Sequence, residues 1–207
     1  MRTITYNVYE FDELPEDLKT LAINKQKEGN SEIWDWTYAE DVLSDWREAL
    51  NAQGFIDPEI AYTGFWSQGD GASFTCKHID LQVLGDYLGL WPVGKEKTYK
   101  SLLDNIDWNA YVSRHNHHYV HEHTINVRLS IPFVYEHSKA WHKLSQFFDD
   151  IEDAINEHIC DVSKQIYKTL EDDYYYYQDD EFIEQYIKDN GIEYVVDDIG
   201  RLIKTLN

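Results

Sequence analysis

A short glycine-rich segment, residues 64–74, collects side chains that are suited to binding a ligand. Its sequence is Gly-Phe-Trp-Ser-Gln-Gly-Asp-Gly-Ala-Ser-Phe. The glycines permit a tight turn with positive φ and the close approach of a ligand to the backbone. The indole offers a stacking face, and the short polar groups can fix a ligand's orientation. The candidate binding residues are Trp66, Ser67, Gln68, Asp70 and Ser73. The alternative is a plain hairpin turn, for which Asp70-Gly71 supplies the backbone conformation.

Five of the nine histidines lie in one stretch, residues 115–123. If this stretch is a strand, alternate histidines share a face and can supply imidazoles to a transition metal ion such as zinc, with Glu122 or Asp70 adding an oxygen. The candidate metal ligands are His117, His121 and His123. The same face continues with apolar residues, which favours core-edge histidines satisfied by hydrogen bonds. No H-E-x-x-H or C-x-x-C motif is present, so no cofactor is expected.

A row of acidic side chains is the third feature. Asp150, Asp153, Glu157 and Asp161 recur every three or four residues, which places them on one face of a helix. Residues 149–198 hold 17 Asp and Glu but three Lys, a net charge of −14. A helical turn rises about 5.4 Å, comparable to the spacing of phosphates along a nucleic-acid strand. Such a row can imitate a phosphate backbone, whereas the alternative is an ordinary solvated helix face.

The composition constrains the partners. Eighteen Lys and Arg against 39 Asp and Glu give a net charge of −21. Such a chain repels nucleic acid and anionic membranes and is attracted to basic proteins. No apolar run approaches the roughly 20 residues that cross a bilayer, and no secretory leader is visible. We therefore expect a cytoplasmic protein. Two cysteines, Cys76 and Cys160, indicate reduced thiols rather than a disulfide framework.

The elements that must position these residues follow from periodicity and turn signals. Apolar residues from Trp141 to Leu170 are spaced by threes and fours, which predicts an amphipathic helix of about 30 residues. Hairpins are predicted over 59–79, around the turn 68–71, and over 111–133. Shorter elements are predicted as strands at 2–9 and 193–196 and as helices at 15–25, 81–90, 98–106 and 180–188, with a further helix that starts near 31 and stops at 53–54.

The predicted fold class is therefore α+β. A small antiparallel sheet built from hairpins packs with several helices, including the long C-terminal amphipathic helix. No linker divides the chain, so a single domain over 1–207 is predicted. It comprises a mixed helix and hairpin part, 1–137, and an acidic helical part, 138–207.

The segment 64–74 resembles a motif of uncharacterised proteins from tailed bacteriophages. Three further features fit the same pattern: residues 11–15 at the start of the first helix, the tyrosine- and histidine-rich strand, and residues 167–171 leading through 179–181 to 189–191. The resemblance implies a phage gene product that acts in the bacterial cytoplasm against a host enzyme or defence system. The resemblance does not indicate any particular catalytic activity.

Two functions from different classes remain. The first is a non-enzymatic interaction protein that inhibits a basic, nucleic-acid-handling host protein through its acidic helix face. The sequence lacks G-x-S-x-G, P-loop and dinucleotide-binding motifs, and this favours the non-enzymatic function. The alternative is a protein that binds a small ligand or metal and sequesters or hydrolyses a nucleotide. It would use the Trp66–Ser73 turn and the His117–His123 strand.

Overall fold

The computed structural model describes residues 6–36, 38–116, 118–133, 136, 138–197 and 200–206. It confirms the α+β class, with a long helix and small antiparallel sheets. The α-helices are α1 (Glu16–Trp36), α2 (Tyr38–Ala52), α3 (Leu81–Leu88), α4 (Glu96–Asn105), α5 (Lys139–Tyr176) and α6 (Asp180–Asp189). The strands are β1 (Asn7–Glu10), β2 (Phe55–Ile56), β3 (Glu59–Tyr62), β4 (Ala72–Thr75), β5 (His78–Ile79), β6 (Asn109–Arg114), β7 (Ile125–Ser130), β8 (Glu193–Val196) and β9 (Leu202–Leu206). Within this described part, no helix is long and apolar enough to cross a membrane.

The chain divides into two compact units, residues 1–40 with 171–207, and residues 41–170. This division does not coincide with the predicted parts 1–137 and 138–207. The single domain over 1–207 stays a prediction.

In the unit of residues 41–170, two hairpins and α5 build the core. β3 pairs with β4 and β6 pairs with β7, both antiparallel. An isolated bridge between Cys76 and Val112 links the two hairpins. The predicted apolar stripe of α5 is buried from Leu144 to Leu170, whereas Trp141 is only partly buried, and aromatic and aliphatic side chains from the hairpins are buried too. Fully buried residues here include Phe55, Phe74, Ile79, Leu84, Val127, Leu144, Ile155, Ile159 and Ile166.

The unit formed by the two chain ends has its own core. β8 is the central strand of a three-stranded antiparallel sheet and pairs with β1 and β9. Apolar residues of α1, α6 and these strands pack together, among them Phe11, Leu18, Ile183, Ile187 and Tyr194. The Lys188 ammonium binds Asp12 at 2.7 Å and Glu184 at 2.8 Å, which raises the pKa of Lys188 to about 12.

Two element predictions were wrong in their bounds. The first helix does not end before Ser31 but continues to Trp36, because no proline or strained glycine interrupts it, and α2 begins at Tyr38. The predicted strand over 117–123 is also absent from the described residues there. Residues 118–121 are irregular, a 3-10 helix spans Glu122–Thr124, and β7 starts only at Ile125.

Local side-chain hydrogen bonds explain the missing strand. Asn116 Oδ1 accepts a hydrogen bond from the backbone N–H of His118 at 2.9 Å, and His121 Nδ1 accepts one from the N–H of His123 at 3.2 Å. The Thr124 hydroxyl donates to the carbonyl of His121 at 2.7 Å. These bonds turn the chain, because they occupy backbone groups that a sheet ladder would otherwise use.

Candidate functional site

The predicted acidic row lies on α5, and all four of its carboxylates are exposed. Asp150, Asp153, Glu157 and Asp161 fall within an arc of about 80° on the helix. Their centre lies roughly opposite the buried stripe that runs from Leu144 to Leu170. The row covers about 16 Å along the axis, at a rise of about 1.5 Å per residue. The arrangement is a line of negative charge on a helix whose other face is fixed in the core.

Few cations neutralise this acidic row. Lys164 Nζ lies 3.4 Å from Asp161 Oδ1, and both side chains are about half exposed, so this pair is weak. Gln146 donates to Asp150 at 3.0 Å. No salt bridge to Asp153 or Glu157 is formed by the residues that the structure describes. The middle of the row therefore presents unneutralised charge to solvent.

Residues 64–71 of the glycine-rich segment lie in the loop between β3 and β4, as the hairpin prediction required, and residues 72–74 belong to β4. Asp70 organises this loop from inside. Its Oδ2 accepts hydrogen bonds from the backbone N–H groups of Trp66 at 2.9 Å and Ser67 at 2.7 Å. The N–H of Asp70 donates to the Ser67 carbonyl at 3.0 Å. The Asp70 carboxylate therefore holds the backbone of the loop in place.

The expected positive φ at the glycines of this turn is wrong. Neither Gly69 nor Gly71 has a positive φ. Gly71 is instead required by close packing, since an added Cβ would lie 2.5 Å from His121 Cβ and 2.9 Å from the Val120 carbonyl oxygen. At Gly69 the added atom would meet the ring of Tyr119 at 3.2 Å. The glycine-rich loop and the histidine segment are therefore packed against each other.

The five predicted binding residues of this loop face different surroundings. Trp66 is 70% exposed, and Ser67 and Gln68 are also exposed. The Trp66 indole contacts Phe65 edge to face, with 6.0 Å between the ring centroids. Phe65 in turn packs on Tyr167 of α5, with a centroid distance of 5.5 Å. Asp70 is half-buried and Ser73 is fully buried on β4. Trp66, Ser67 and Gln68 are therefore the members of the set that a partner can reach.

The histidine segment does not assemble the predicted metal ligands. His117 lies outside the described residues. The rings of His121 and His123 are 5.8 Å apart at their centroids, and His123 Nε2 lies 3.4 Å from the carboxylate of Glu122. Among the residues described, no group of three or more His, Cys, Asp or Glu side chains is placed to hold a metal ion. The geometric basis for the predicted site, alternation along a strand, is absent.

Neither cysteine lies in surroundings that favour its thiolate form. Burial raises the pKa of the Cys76 thiol to about 11. Burial also raises the pKa of Cys160, whose sulfur lies 3.4 Å from the backbone oxygen of Glu122. Because the thiolate is the reactive form, a raised pKa lowers the reactive fraction of both side chains at neutral pH.

A residue that the sequence did not single out lies beside Ser73. Arg114, at the end of β6, donates from Nη2 to Ser73 Oγ at 2.9 Å. The two residues are 41 positions apart, so no local motif connects them. The sequence gives only an indirect indication of a role for Arg114. It is an arginine on a strand beside the histidine segment, in a chain with 39 acidic residues.

One protein-family model covers the acidic row on α5, the two packed loops and Arg114. A family model described as a domain of unknown function, DUF8835, matches residues 38–180, more than two-thirds of the chain. No curated protein and no solved structure matches this chain. The chain therefore belongs to the DUF8835 family.

Proposed function

We propose that this protein binds a basic protein through the acidic row of α5 and blocks a surface that otherwise holds nucleic acid. The observation that carries the proposal is the exposure of four carboxylates in one line, on a helix held by a buried apolar stripe. A line of charge fixed in advance loses little conformational entropy when it binds. A partner that recognises phosphates has cations arranged to receive such a line.

The partner class follows from charge complementarity. A net charge of −21 attracts a basic surface from a distance and disfavours contact with nucleic acid itself. The proposed partner is a nucleic-acid-handling protein in the bacterial cytoplasm, and the phage-like motif of residues 64–74 supports a host enzyme or defence protein as the target. The proposed activity is inhibition by occupancy, without catalysis.

The direct test is capture of the partner, followed by competition with DNA. The tagged full-length chain is used to retain proteins from a bacterial lysate, and retained proteins are identified by mass spectrometry. Duplex DNA is then added to the purified complex. We expect a basic DNA- or RNA-binding protein that DNA displaces. If DNA and this chain bind the captured protein at the same time, nucleic-acid mimicry is contradicted.

A second candidate function is favoured by the contact between the two loops. Trp66 and Tyr119 are 70% and 46% exposed, and each lies on one of the two loops that meet at Gly69 and Gly71. Exposed aromatic faces beside polar groups can hold a planar ligand such as a nucleobase by stacking. This function predicts nucleotide binding that Trp66→Ala abolishes and that changes little with salt, because stacking is not screened as exposed charge is.

A further inference from the structure

Arg114 has no compensating charge in the described part of this acidic chain. No Asp or Glu lies within salt-bridge distance of its guanidinium among those residues. Among the residues that the structure describes, its guanidinium makes one hydrogen bond, from Nη2 to Ser73 Oγ, and its buried Nε finds no acceptor. A guanidinium cannot shed its proton to escape this cost. Leaving a partly buried charge unpaired costs stability, which makes Arg114 a candidate for binding an anionic group.

Arg114 lines an open groove. A cavity of about 510 Å³ is lined by Glu59, Ile60 and Ala61 of β3, Thr75 of β4, and Val112, Ser113 and Arg114 of β6. This volume is within the range of small-molecule sites. Past Thr75 and Val112 the groove continues into a smaller cavity of about 230 Å³, which Lys77, Asp57 and Glu59 also line.

We propose that this groove binds the oxyanion group of a small ligand, a carboxylate or a phosphate, through Arg114. The planar guanidinium matches the two oxygens of either group, and such charge-assisted hydrogen bonds are strong. Ser73 Oγ orients the guanidinium, and the Arg114 charge provides the attraction, which must exceed the repulsion from Glu59 in the same groove. The site is independent of the acidic row on α5, which would repel the same ligand.

Calorimetry on the full-length chain tests this proposal with three probes: inorganic phosphate, succinate and adenosine monophosphate. Sodium chloride at matched ionic strength is the reference, because salt alone affects a highly charged protein. We expect saturable one-to-one binding of at least one probe. Tight binding of phosphate and adenosine monophosphate but not succinate assigns a phosphate ligand, and the reverse assigns a carboxylate.

Two variants separate binding from folding. Arg114→Gln should weaken binding at least tenfold, while its melting temperature without ligand equals or exceeds that of the wild type, because an unpaired charge is removed. Lys97→Gln, which removes an exposed cation elsewhere, should bind as the wild type does.

The Nε–H resonance of Arg114 in the wild-type protein, identified by its loss in Arg114→Lys, should also shift on titration. The proposal is overturned if no probe binds, if Arg114→Gln binds equally well, or if that resonance does not move.

Discussion

At the scale of single residues, Asp70 shows how a candidate binding residue can instead serve its own loop. Its carboxylate accepts hydrogen bonds from the N–H groups of Trp66 and Ser67. Asp70→Ala removes both acceptors, and we expect a loss of about 1–2 kcal/mol in the free energy of unfolding, since the site is half-buried. Asp70→Asn retains an acceptor oxygen and should lose less. Urea denaturation measures both, and equal losses for the two variants would contradict this role.

Gly71 is expected to be the least replaceable position of the same loop. An added methyl group meets the backbone of the histidine segment at 2.9 Å, which cannot move as freely as a side-chain end. Gly71→Ala should therefore destabilise by about 1–3 kcal/mol, as overpacking does. Gly69→Ala is the matched control, because the Tyr119 ring that it meets is partly exposed and can shift. A larger loss at Gly69 than at Gly71 in thermal unfolding would refute the proposed contact.

We expect His158 on α5 to make stability depend on pH. Burial lowers its pKa below the usual value of 6.5, and its Nε2 lies 2.7 Å from Gln53 Oε1. The unfolded chain therefore takes up this proton at a higher pH than the folded one. The contribution of His158 to the free energy of unfolding is fully present above about pH 6.5. It is lost as the pH falls toward the lower pKa of His158 in the folded state. His158→Gln should show a shallower decline in unfolding free energy between pH 7.5 and 5.5. An unchanged slope would show that other groups dominate.

The residue types of the candidate site could be identified from the sequence, but their environments could not. Trp66 and Gln68 are exposed as a binding role needs, whereas Ser73 is buried and bonded to Arg114. That partnership joins two hairpins whose bridge at Cys76 and Val112 depends on tertiary packing. A single sequence contains no local signal for it.

At the scale of elements, α5 was the most predictable because its periodicity persists for eight turns. The helix is longer than predicted, Lys139–Tyr176, since its last turns carry polar and tyrosine residues outside the apolar pattern. The histidine segment was the least predictable. Alternation favoured a strand there, but Asn116 and His121 hydrogen-bond their own backbone neighbours and turn the chain.

At the scale of the whole molecule, the pairing of β1 with β8 joins the two ends of the chain, which no local pattern indicates. The charge is distributed unevenly between the units. Residues 1–40 and 171–207 hold 20 acidic and 7 basic residues, a net charge of −13. Residues 41–170 hold 19 acidic and 11 basic residues, a net charge of −8.

This self-repulsion predicts a stabilising effect of salt. Like charges destabilise a compact state, and added ions screen them. We expect the melting temperature to rise between 20 and 300 mM sodium chloride. Differential scanning calorimetry over that range measures the effect, with uncharged sucrose as a control for solvent exclusion. A melting temperature that falls or stays constant with salt would mean that attractive ion pairs balance the repulsion.

The central claim, recognition of a basic partner by the acidic row of α5, is tested by comparing two variants of equal net charge. One neutralises the row by Asp150→Asn, Asp153→Asn, Glu157→Gln and Asp161→Asn. The other neutralises four exposed carboxylates elsewhere, by Asp41→Asn, Asp45→Asn, Glu48→Gln and Asp57→Asn. The measurement is the dissociation constant for the captured partner in 50 mM salt.

Exposed charges each contribute modestly, so the sum over the row should decide affinity. We predict that the row variant binds at least 30-fold more weakly than the wild type, an effect of about 2 kcal/mol, while the control variant stays within about threefold. If both variants bind the partner equally weakly, the loss of affinity comes from the overall net charge and not from the acidic row. A row variant that binds as tightly as the wild type would contradict the proposed function.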